Sequence, residues 1–313
     1  MEIKSVRIGE RLMPNNVFLA PMAGYTDYAI RKLQLDNGIG LAFTELVSAK
    51  GLIYKSRGTK DLLYSKGYEL NTTVQLFGSE EYYMRAACES EELAPFNIVD
   101  INMGCPVPKV YKNGEGSALL NDIKKAESII KECVKSGKTI TVKIRTGLKA
   151  GDDIASEFTK MAEQAGASLV TIHGRVREAY YSGEPDFNAI EKAKKAVSIP
   201  VIANGGIFTV NDANLMIDRT GADGVMLARG AIANPFLVCE LVGTEAKSSL
   251  KEYIIEHLSL MSNLYDDRRA AAEFKKFAPY YFKGMTGMKE VKNAVNRAEI
   301  VSEIVKIIRE TTI

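Results

Sequence analysis

The sequence predicts an α/β protein, a (β/α)8 TIM barrel followed by a small all-helical domain. Eight short apolar or β-branched runs alternate with amphipathic helical periods, which is the pattern of such a barrel. No Gly-x-Gly-x-x-Gly follows the first run, which disfavours the rival, an open doubly wound sheet. Strand patterns stop near residue 244, so we expect a barrel domain over 1–244 and a helical domain over 245–313.

The barrel elements are predicted in chain order, after a short amino-terminal ribbon over 1–16. The predicted strands cover 16–20, 41–44, 72–76, 98–101, 139–145, 169–173, 200–206 and 224–230. Helical periods follow most strands, at 28–35, after Ser79, at 122–134, at 152–165 and from about 210. Asp27 and Ser79 are predicted as helix caps. The segment 48–71 predicts a loop or lid over the rim, with room for a short helix.

The carboxyl-terminal part predicts four helices, over 250–264, 270–282, 288–295 and 299–309. From 268 to 297 there are eight basic and two acidic residues, a net charge of +6, whereas the whole chain carries only +2. This asymmetry predicts a surface for a phosphate backbone. The interleaved aromatic residues predict an ordinary apolar helix face; they are Phe274, Phe277, Tyr280, Tyr281 and Phe282.

Composition limits the class of protein. A hydrophobic content of 46% is ordinary for a large core, and no apolar run approaches the ~18 residues of a membrane span. The amino terminus lacks the apolar core of a signal peptide, so we expect a cytoplasmic protein without a membrane partner. The spacing of Cys88, Cys105, Cys133 and Cys239 fits neither a zinc site nor a disulfide framework, so we expect reduced thiols and no metal.

Polar residues end most of the predicted strands, and the carboxyl ends of barrel strands meet at one rim. Together they predict a binding site at that rim: Gln75, Asn102, Lys143, Arg145, His173, Asn204 and Arg229. Asn204-Gly205-Gly206 and Ala228-Arg229-Gly230 follow the seventh and eighth strands, where barrels commonly bind a phosphate. His257 lies in a helical period and is expected to be structural.

Asn102-Met-Gly104-Cys105-Pro106 follows the fourth strand directly. Gly104 and Pro106 break the apolar run, so the thiol of Cys105 is placed on a loop at the rim. We therefore favour a chemical role for Cys105 over that of a buried structural thiol.

These motifs, in their order along nearly the whole chain, resemble those of the tRNA-dihydrouridine synthases, the bacterial B-type subgroup in particular. The matching segments are Pro21-Met-Ala23, Gln75, Asn102-x-Gly-Cys105-Pro, Lys143-x-Arg145, His173-Gly174-Arg175 and Asn204-Gly-Gly206. One departure is Ala228 before Arg229, where the family more often has glycine.

The resemblance implies an FMN-dependent enzyme that reduces uridine in folded RNA with NADPH. It implies flavin contacts from Pro21, Met22, Ala23, Gln75, Lys143, His173, Asn204, Gly205, Gly206, Ala228 and Arg229. It implies Cys105 as the proton donor to C5, after hydride has reached C6 from flavin N5. Four residues at the rim are expected to hold the substrate: Asn102, Arg145, Arg175 and Arg177.

Other functions remain open at this point. The RNA could be ribosomal, and the substrate could be a free pyrimidine, as in a dihydroorotate dehydrogenase, although a small substrate needs no basic helical surface. A barrel that binds RNA without catalysis is a third hypothesis, and Cys105 and Lys143 argue against it. We expect a monomer with tRNA as its partner, and the position of the modified uridine is not fixed by the sequence.

Overall fold

A two-stranded ribbon and a closed parallel barrel form the β-structure in the computed structural model, which describes residues 1–56 and 58–312. The antiparallel ribbon comprises β1 (Val6–Ile8) and β2 (Arg11–Met13). The barrel strands are β3 (Val17–Leu19), β4 (Leu41–Ser48), β5 (Thr72–Phe77), β6 (Ile98–Met103), β7 (Thr139–Arg145), β8 (Val170–His173), β9 (Val201–Asn204) and β10 (Gly224–Leu227). They follow one another around the barrel, and β10 pairs with β3 to close it. The predicted (β/α)8 barrel is confirmed.

Helices surround the barrel and make up the carboxyl-terminal unit. The helices up to residue 244 are α1 (Tyr28–Asp36), α2 (Ala49–Ile53), α3 (Thr59–Leu63), α4 (Glu81–Cys88), α5 (Pro108–Lys112), α6 (Ile123–Val134), α7 (Ala155–Gln164), α8 (Phe187–Lys195), α9 (Val210–Thr220), α10 (Arg229–Ala233) and α11 (Leu237–Val242). Beyond it are α12 (Leu250–Ser262), α13 (Asp267–Phe274), α14 (Ala278–Tyr281), α15 (Met288–Arg297) and α16 (Val301–Glu310). Short 3₁₀ turns lie at Glu69–Asn71, Glu91–Leu93 and Gly116–Asn121.

The inside of the barrel changes character from one end to the other. At the amino-terminal end the inward side chains are apolar, and β1 and β2 plug that end; this buried cluster includes Phe18, Phe43, Ile98, Leu169, Ile202 and Met226, with Val6, Ile8 and Met13 from the ribbon. Side chains alternate between the two faces of a strand. Further along β6 and β7, Asp100, Asn102, Thr141 and Lys143 therefore occupy the inward face. The polar half of the interior lies at the carboxyl ends of the strands.

The carboxyl-terminal helices pack onto the barrel through α1. Gln34 of α1 donates its side-chain amide to the hydroxyl of Tyr253 (3.1 Å) and to the carbonyl of Pro235 (3.0 Å), and all of these groups are buried. Phe274, Phe277, Tyr281 and Phe282 are at most 2% exposed, which confirms the predicted apolar face for these four. Tyr280 differs, because its ring reaches the barrel rim.

Two local predictions are wrong. The single helix expected over 270–282 is two helices, α13 and α14, because the chain leaves the helix after Phe274 and restarts with Pro279 in a first turn. That position needs no backbone N–H, so proline is accepted there. Ser79 does not cap α4; its hydroxyl donates to the carbonyl of Asn113 instead, and Glu80 precedes the helix without a side-chain cap.

Other local predictions are confirmed or refined. The Asp27 carboxylate accepts from the N–H of Ile30 and caps α1. The segment 48–71 is less loop-like than predicted, because β4 continues to Ser48 and α2 and α3 follow. A register shift between Phe43 and Leu46 accompanies this extension of β4.

Candidate active site

A cavity of about 450 Å³ opens at the carboxyl ends of the barrel strands. That volume is in the range of sites for drug-sized ligands and cofactors. Most of the residues predicted for the site line it: Pro21, Met22, Ala23, Asn102, Cys105, Lys143, Arg145, His173, Arg175, Asn204, Gly205, Gly206, Ala228 and Arg229. The structure thus brings together side chains from strands that lie far apart in the sequence.

Gln75 and Arg177 are not among the residues that line this cavity. Gln75 is fully buried one layer deeper, where its amide bonds Asp100 and Asn102. Arg177 lies outside the mouth, with its guanidinium 3.7 Å from the centre of the Tyr111 ring. Any contact of these two side chains with a ligand in the cavity requires a rearrangement or a ligand that extends beyond it.

The backbone of Cys105 is held from both sides. Its N–H donates to the side-chain oxygen of Asn102 at 2.9 Å. Its carbonyl accepts from the N–H of Ser117 (3.1 Å) and from the hydroxyl of Ser117 (2.7 Å). The loop therefore has a fixed shape, and the 8% of Cys105 that remains exposed belongs to the cavity wall.

The thiol of Cys105 is protonated at neutral pH. Burial raises its pKa above the ordinary value, while a backbone hydrogen bond and the charges of Arg145 and Lys143 lower it less. Since a nucleophilic cysteine needs a lowered pKa, this environment favours an acid over a nucleophile.

Four cationic side chains line the cavity, namely Lys143, Arg145, Arg175 and Arg229. Within the described residues, none of them forms a salt bridge with a carboxylate. Lys143 donates to the side-chain oxygen of Asn204 at 3.1 Å. Burial and then Arg145 lower the pKa of Lys143 to about 8, so the ammonium is still charged at neutral pH. Cations without protein counter-ions predict an anionic ligand.

Arg145 and Arg175 serve the protein as well as the cavity, because both are nearly buried and donate to backbone carbonyls. Arg145 donates to Gly104, Val176 and Tyr180 at 2.8–3.0 Å. Arg175 donates to Ser182 and Gly183 at 2.7–3.1 Å. They tie the loop after β8 to the rim, and Arg145 also ties it to the loop that carries Cys105.

His173 is neutral in this setting. Burial lowers its pKa well below the usual range, and the charges of Lys143, Arg145, Arg175 and Arg229 act in the same direction. Nη1 of Arg175 lies 3.3 Å from Nε2 of His173. An arginine can only donate, so Nε2 accepts and the ring proton is on Nδ1.

Gly205 allows a ligand to approach the backbone closely at the end of β9. Its φ of +117° disfavours other residues, and a Cβ there would lie 2.7 Å from Cδ2 of His173. Only glycine fits, so the backbone after Asn204 can approach a ligand closely.

The aromatic side chains at the mouth of the cavity are not predicted from the sequence. Tyr181 is 54% exposed, and its ring lies 4.8 Å from the guanidinium of Arg229 and 6.2 Å from the His173 ring. Tyr25 and Tyr280 form another part of the wall, with ring centres 5.7 Å apart. Tyr181 follows His173 on the same loop, which is the one signal that could have found it. Tyr280 comes from the helical unit, and only the packing brings it here.

The described residues hold neither a metal-binding cluster nor a membrane-spanning helix. They contain no group of three or more His, Cys, Asp or Glu side chains arranged to hold a metal ion. None of the helices in the described ranges combines the length and the apolar character required to cross a bilayer.

The chain is similar to known proteins over most of its length. The profile of the family described as "Dihydrouridine synthase (Dus)" matches residues 18–312. The chain is 33% identical over 307 residues to "tRNA-dihydrouridine synthase B" of Pseudomonas putida, covering 95% of this chain and 91% of that protein. It is 33% identical over 302 residues to "Probable tRNA-dihydrouridine synthase" of Rickettsia bellii, covering 93% of both.

Solved structures share the barrel at low identity. Histamine dehydrogenase from Rhizobium sp. 4-9 has a TM-score of 0.59 and 16% identity, over 82% of this chain and 50% of that one. At this identity the similarity supports the barrel fold alone.

Proposed function

The chain belongs to the dihydrouridine synthase family, of the bacterial B type that its motifs resemble, and we propose that it reduces uridines in tRNA. In this proposal FMN is the bound cofactor, NADPH supplies the electrons, and the C5–C6 double bond of the uracil is reduced. The observation that carries the proposal is a protonated thiol, Cys105, at a cavity lined by four cations that form no salt bridge within the described residues.

The residues of the cavity fit FMN. The glycine turn after Asn204 and the turn before α10 offer backbone N–H groups to a phosphate, and Arg229 adds a charge there. Lys143 and the neutral His173 are available to the polar edge of the flavin ring, while Pro21, Met22 and Ala23 supply an apolar wall. We assign these residues, with Gly205, Gly206 and Ala228, to cofactor binding, and Gln75 supports them from the layer below.

The chemistry divides between the cofactor and Cys105. A reduced flavin held in this cavity would supply the hydride for C6 of the uracil. Cys105 gives its proton from Sγ to C5, and the resulting thiolate lies within the field of Arg145 and Lys143, which stabilise it. Solvent then returns a proton to the sulfur before the next turnover.

The substrate base must leave its stack to reach this cavity. A base inside a helix or stacked loop cannot meet both the thiol and the cofactor, so the uridine is extruded. Asn102, Arg145 and Arg175 line its destination, and Arg177 lies outside the mouth where an RNA phosphate would pass. The exposed ring of Tyr181 offers a face on which a base can stack.

The helical domain, 245–313, is assigned to RNA binding. Arg268, Arg269, Lys283, Lys289 and Arg297 are exposed, and none forms a salt bridge within the described chain. We call these five side chains the basic surface. A free pyrimidine would leave this surface without a role, which favours RNA as the substrate. A cytoplasmic, monomeric enzyme fits this assignment.

Mapping of dihydrouridine in total RNA tests the substrate. RNA from cells with and without the gene should differ at defined uridines of tRNA. Loss of dihydrouridine from ribosomal RNA alone would replace tRNA by rRNA in the proposal, and no difference in any RNA would refute it.

Cys105→Ala tests the proton donor. The variant should bind FMN, and NADPH should reduce that FMN as in the wild type, yet no dihydrouridine should form, because C5 receives no proton. Cys239→Ala is the matched control, since that thiol donates to the carbonyl of Asn37 away from the cavity. Normal product formation by Cys105→Ala would contradict the assignment.

A further inference from the structure

A chain of side-chain hydrogen bonds connects the barrel interior to the loop that carries Cys105. It starts at the fully buried Asp100, whose Oδ2 accepts from Nε2 of Gln75 at 2.6 Å. Oε1 of Gln75 accepts from Nδ2 of Asn102 at 2.8 Å. Oδ1 of Asn102 accepts from the backbone N–H of Cys105 at 2.9 Å and from that of Gly104 at 3.3 Å. Two amide side chains, those of Gln75 and Asn102, thus join a buried carboxylate to the cysteine backbone.

The strand register explains why these side chains meet. Gln75 of β5 is paired with Asp100 of β6, and Asp100 is paired with Thr141 of β7. Asn102 is two residues beyond Asp100, so both point into the barrel. The chain of hydrogen bonds therefore runs from the deeper layer of the interior towards the rim.

The carboxylate decides which way each amide is turned. Burial raises the pKa of Asp100 to about 6, so at neutral pH the group is ionised and can only accept. Gln75 must turn its NH₂ group towards Asp100, which leaves Oε1 for Asn102. Asn102 must then donate, which leaves Oδ1 for the N–H of Cys105. Reversal of both amides would place an NH₂ group against that N–H, so two donors would face each other.

Burial of the Asp100 carboxylate costs free energy, which makes Asp100 a poor choice for a purely structural role. Within the described chain it has no salt-bridge partner, and its second oxygen accepts from the hydroxyl of Thr141 at 2.6 Å. The neighbouring charge of Lys143 offsets part of the cost of burial. An apolar residue of similar volume would be cheaper to bury at this position. Stability alone therefore does not explain the presence of a carboxylate at this position.

We propose that Asp100 is a positioning residue, whose carboxylate orients the amides of Gln75 and Asn102 and thereby holds Cys105 with its thiol towards the cavity. The consequence for the reaction depends on the proposed function, whereas the consequence for the loop does not. Asp100 neither lines the cavity nor touches the thiol, so its effect on the position of Cys105 passes through the two amides.

The test compares Asp100→Leu, Asp100→Asn and Thr141→Val as FMN-loaded enzymes. The rate at which NADPH reduces the bound FMN should be unchanged in all three variants. Oxidation of the reduced enzyme by tRNA should slow by about 100-fold in Asp100→Leu, because misplacement of a reacting group by about 1 Å costs that much. Asp100→Asn keeps an acceptor but loses the charge, so a loss of about tenfold is expected.

Thr141→Val is the matched control, because it removes the other hydrogen bond of the same buried carboxylate and leaves the path to Cys105 intact. It should react with tRNA at the wild-type rate. A loss in Thr141→Val as large as in Asp100→Leu would overturn the proposal, since any damage to the polar layer would then suffice. If Asp100→Leu does not fold, a wild-type rate in Asp100→Asn overturns it.

Alkylation of Cys105 gives a second readout that needs no substrate. Iodoacetamide followed by peptide mass analysis should modify Cys105 several times faster in Asp100→Leu than in the wild type or Thr141→Val, because the loop is released. Unchanged alkylation with unchanged tRNA reaction refutes the role of Asp100. Normal activity of Cys105→Ala would instead refute the proposed function, while the alkylation result would still stand.

Discussion

Lys143 and Asp100 are two charged residues inside the barrel, and burial pushes each towards its neutral form. The pKa of Lys143 is lowered to about 8 and that of Asp100 is raised to about 6. Between these values both are charged and attract each other. Lys143 and Asp100 are therefore both charged only in a window around neutral pH.

We expect the affinity for FMN to fall as the pH rises through about 8. An anionic ligand favours the charged form of Lys143 and raises its pKa, so the gain in binding is fully present below about 8 and is lost above it. Between pH 7 and pH 9 the Kd should rise about tenfold, since one pKa unit corresponds to about 1.4 kcal/mol. Quenching of FMN fluorescence measures this.

Lys143→Met identifies the titrating group. The Kd of this variant for FMN should be higher at pH 7 than that of the wild type and nearly constant up to pH 9. A variant with the same pH dependence as the wild type would exclude Lys143 as the cause.

At the scale of elements, the loop from β6 to α6 is anchored on both sides of the cysteine. Asn102, at the end of β6, binds the N–H of Cys105, and Ser117, in the 3₁₀ turn Gly116–Asn121, binds its carbonyl. Gly116 has a φ of +60°, and a Cβ there would lie 3.0 Å from Cβ of Cys105 and 2.9 Å from Cγ1 of Val110. A side chain at position 116 would therefore collide with the residue that the turn holds.

Gly116→Ala should displace Cys105 and reduce dihydrouridine formation, while FMN remains bound. The left-handed backbone adds a stability loss of about 1–2 kcal/mol. Thermal unfolding and product formation measure the two effects.

Gly114→Ala distinguishes the effect of backbone strain from the effect of displacing Cys105. Its φ of +74° imposes similar strain, but the nearest atom to its Cβ would be Cβ of Ser79 at 3.9 Å. It should lose stability and keep its product rate. An equal loss of product in both variants would show that strain alone disables the loop.

At the scale of the whole molecule, the helical unit supplies part of the cavity wall through Tyr280. Tyr25 of the first barrel loop packs edge-on against Phe277 (5.4 Å) and Tyr280 (5.7 Å). Burial and the Tyr280 hydroxyl raise the pKa of Tyr25. Removal of 245–313 would uncover buried side chains and change the cavity wall, so it is not a clean test of RNA binding. The boundary proposed at 244 lies between α11 and α12.

Point substitutions test the basic surface more cleanly. Replacement of Arg268, Lys289 and Arg297 by glutamine should weaken tRNA binding and lower the slope of log K against log salt by about 2–3, since each phosphate contact contributes roughly 0.7–0.9. FMN content should not change. Filter binding over a range of salt concentrations measures the slope.

Replacement of Lys4, Lys124 and Lys160 by glutamine is the matched control, because it removes the same number of charges from exposed lysines of the barrel unit, before β1 and on α6 and α7. The control should leave both affinity and slope unchanged. An equal effect of the two sets would mean that net charge, rather than the basic surface, attracts the RNA.

The sequence alone was sufficient for the barrel, its strands and most of the residues at the rim. Alternation and apolar runs are local properties, and the carboxyl ends of barrel strands always converge, so residues such as Lys143 and Asn204 could be assigned to one site before their distances were known. Asp27 could be assigned as a cap because that interaction spans only three residues.

Contacts between distant segments were decided only by the tertiary structure. Packing brings Tyr280 to the cavity, and strand register places Gln75 in the layer beneath it. The Ser79 hydroxyl donates to the carbonyl of Asn113 and therefore does not cap α4. Burial then raises the pKa of Cys105, which a position on a glycine- and proline-flanked loop did not predict. Residue type and spacing fix which strand end a side chain occupies, but its partners and solvent exposure depend on the other segments that fold against it.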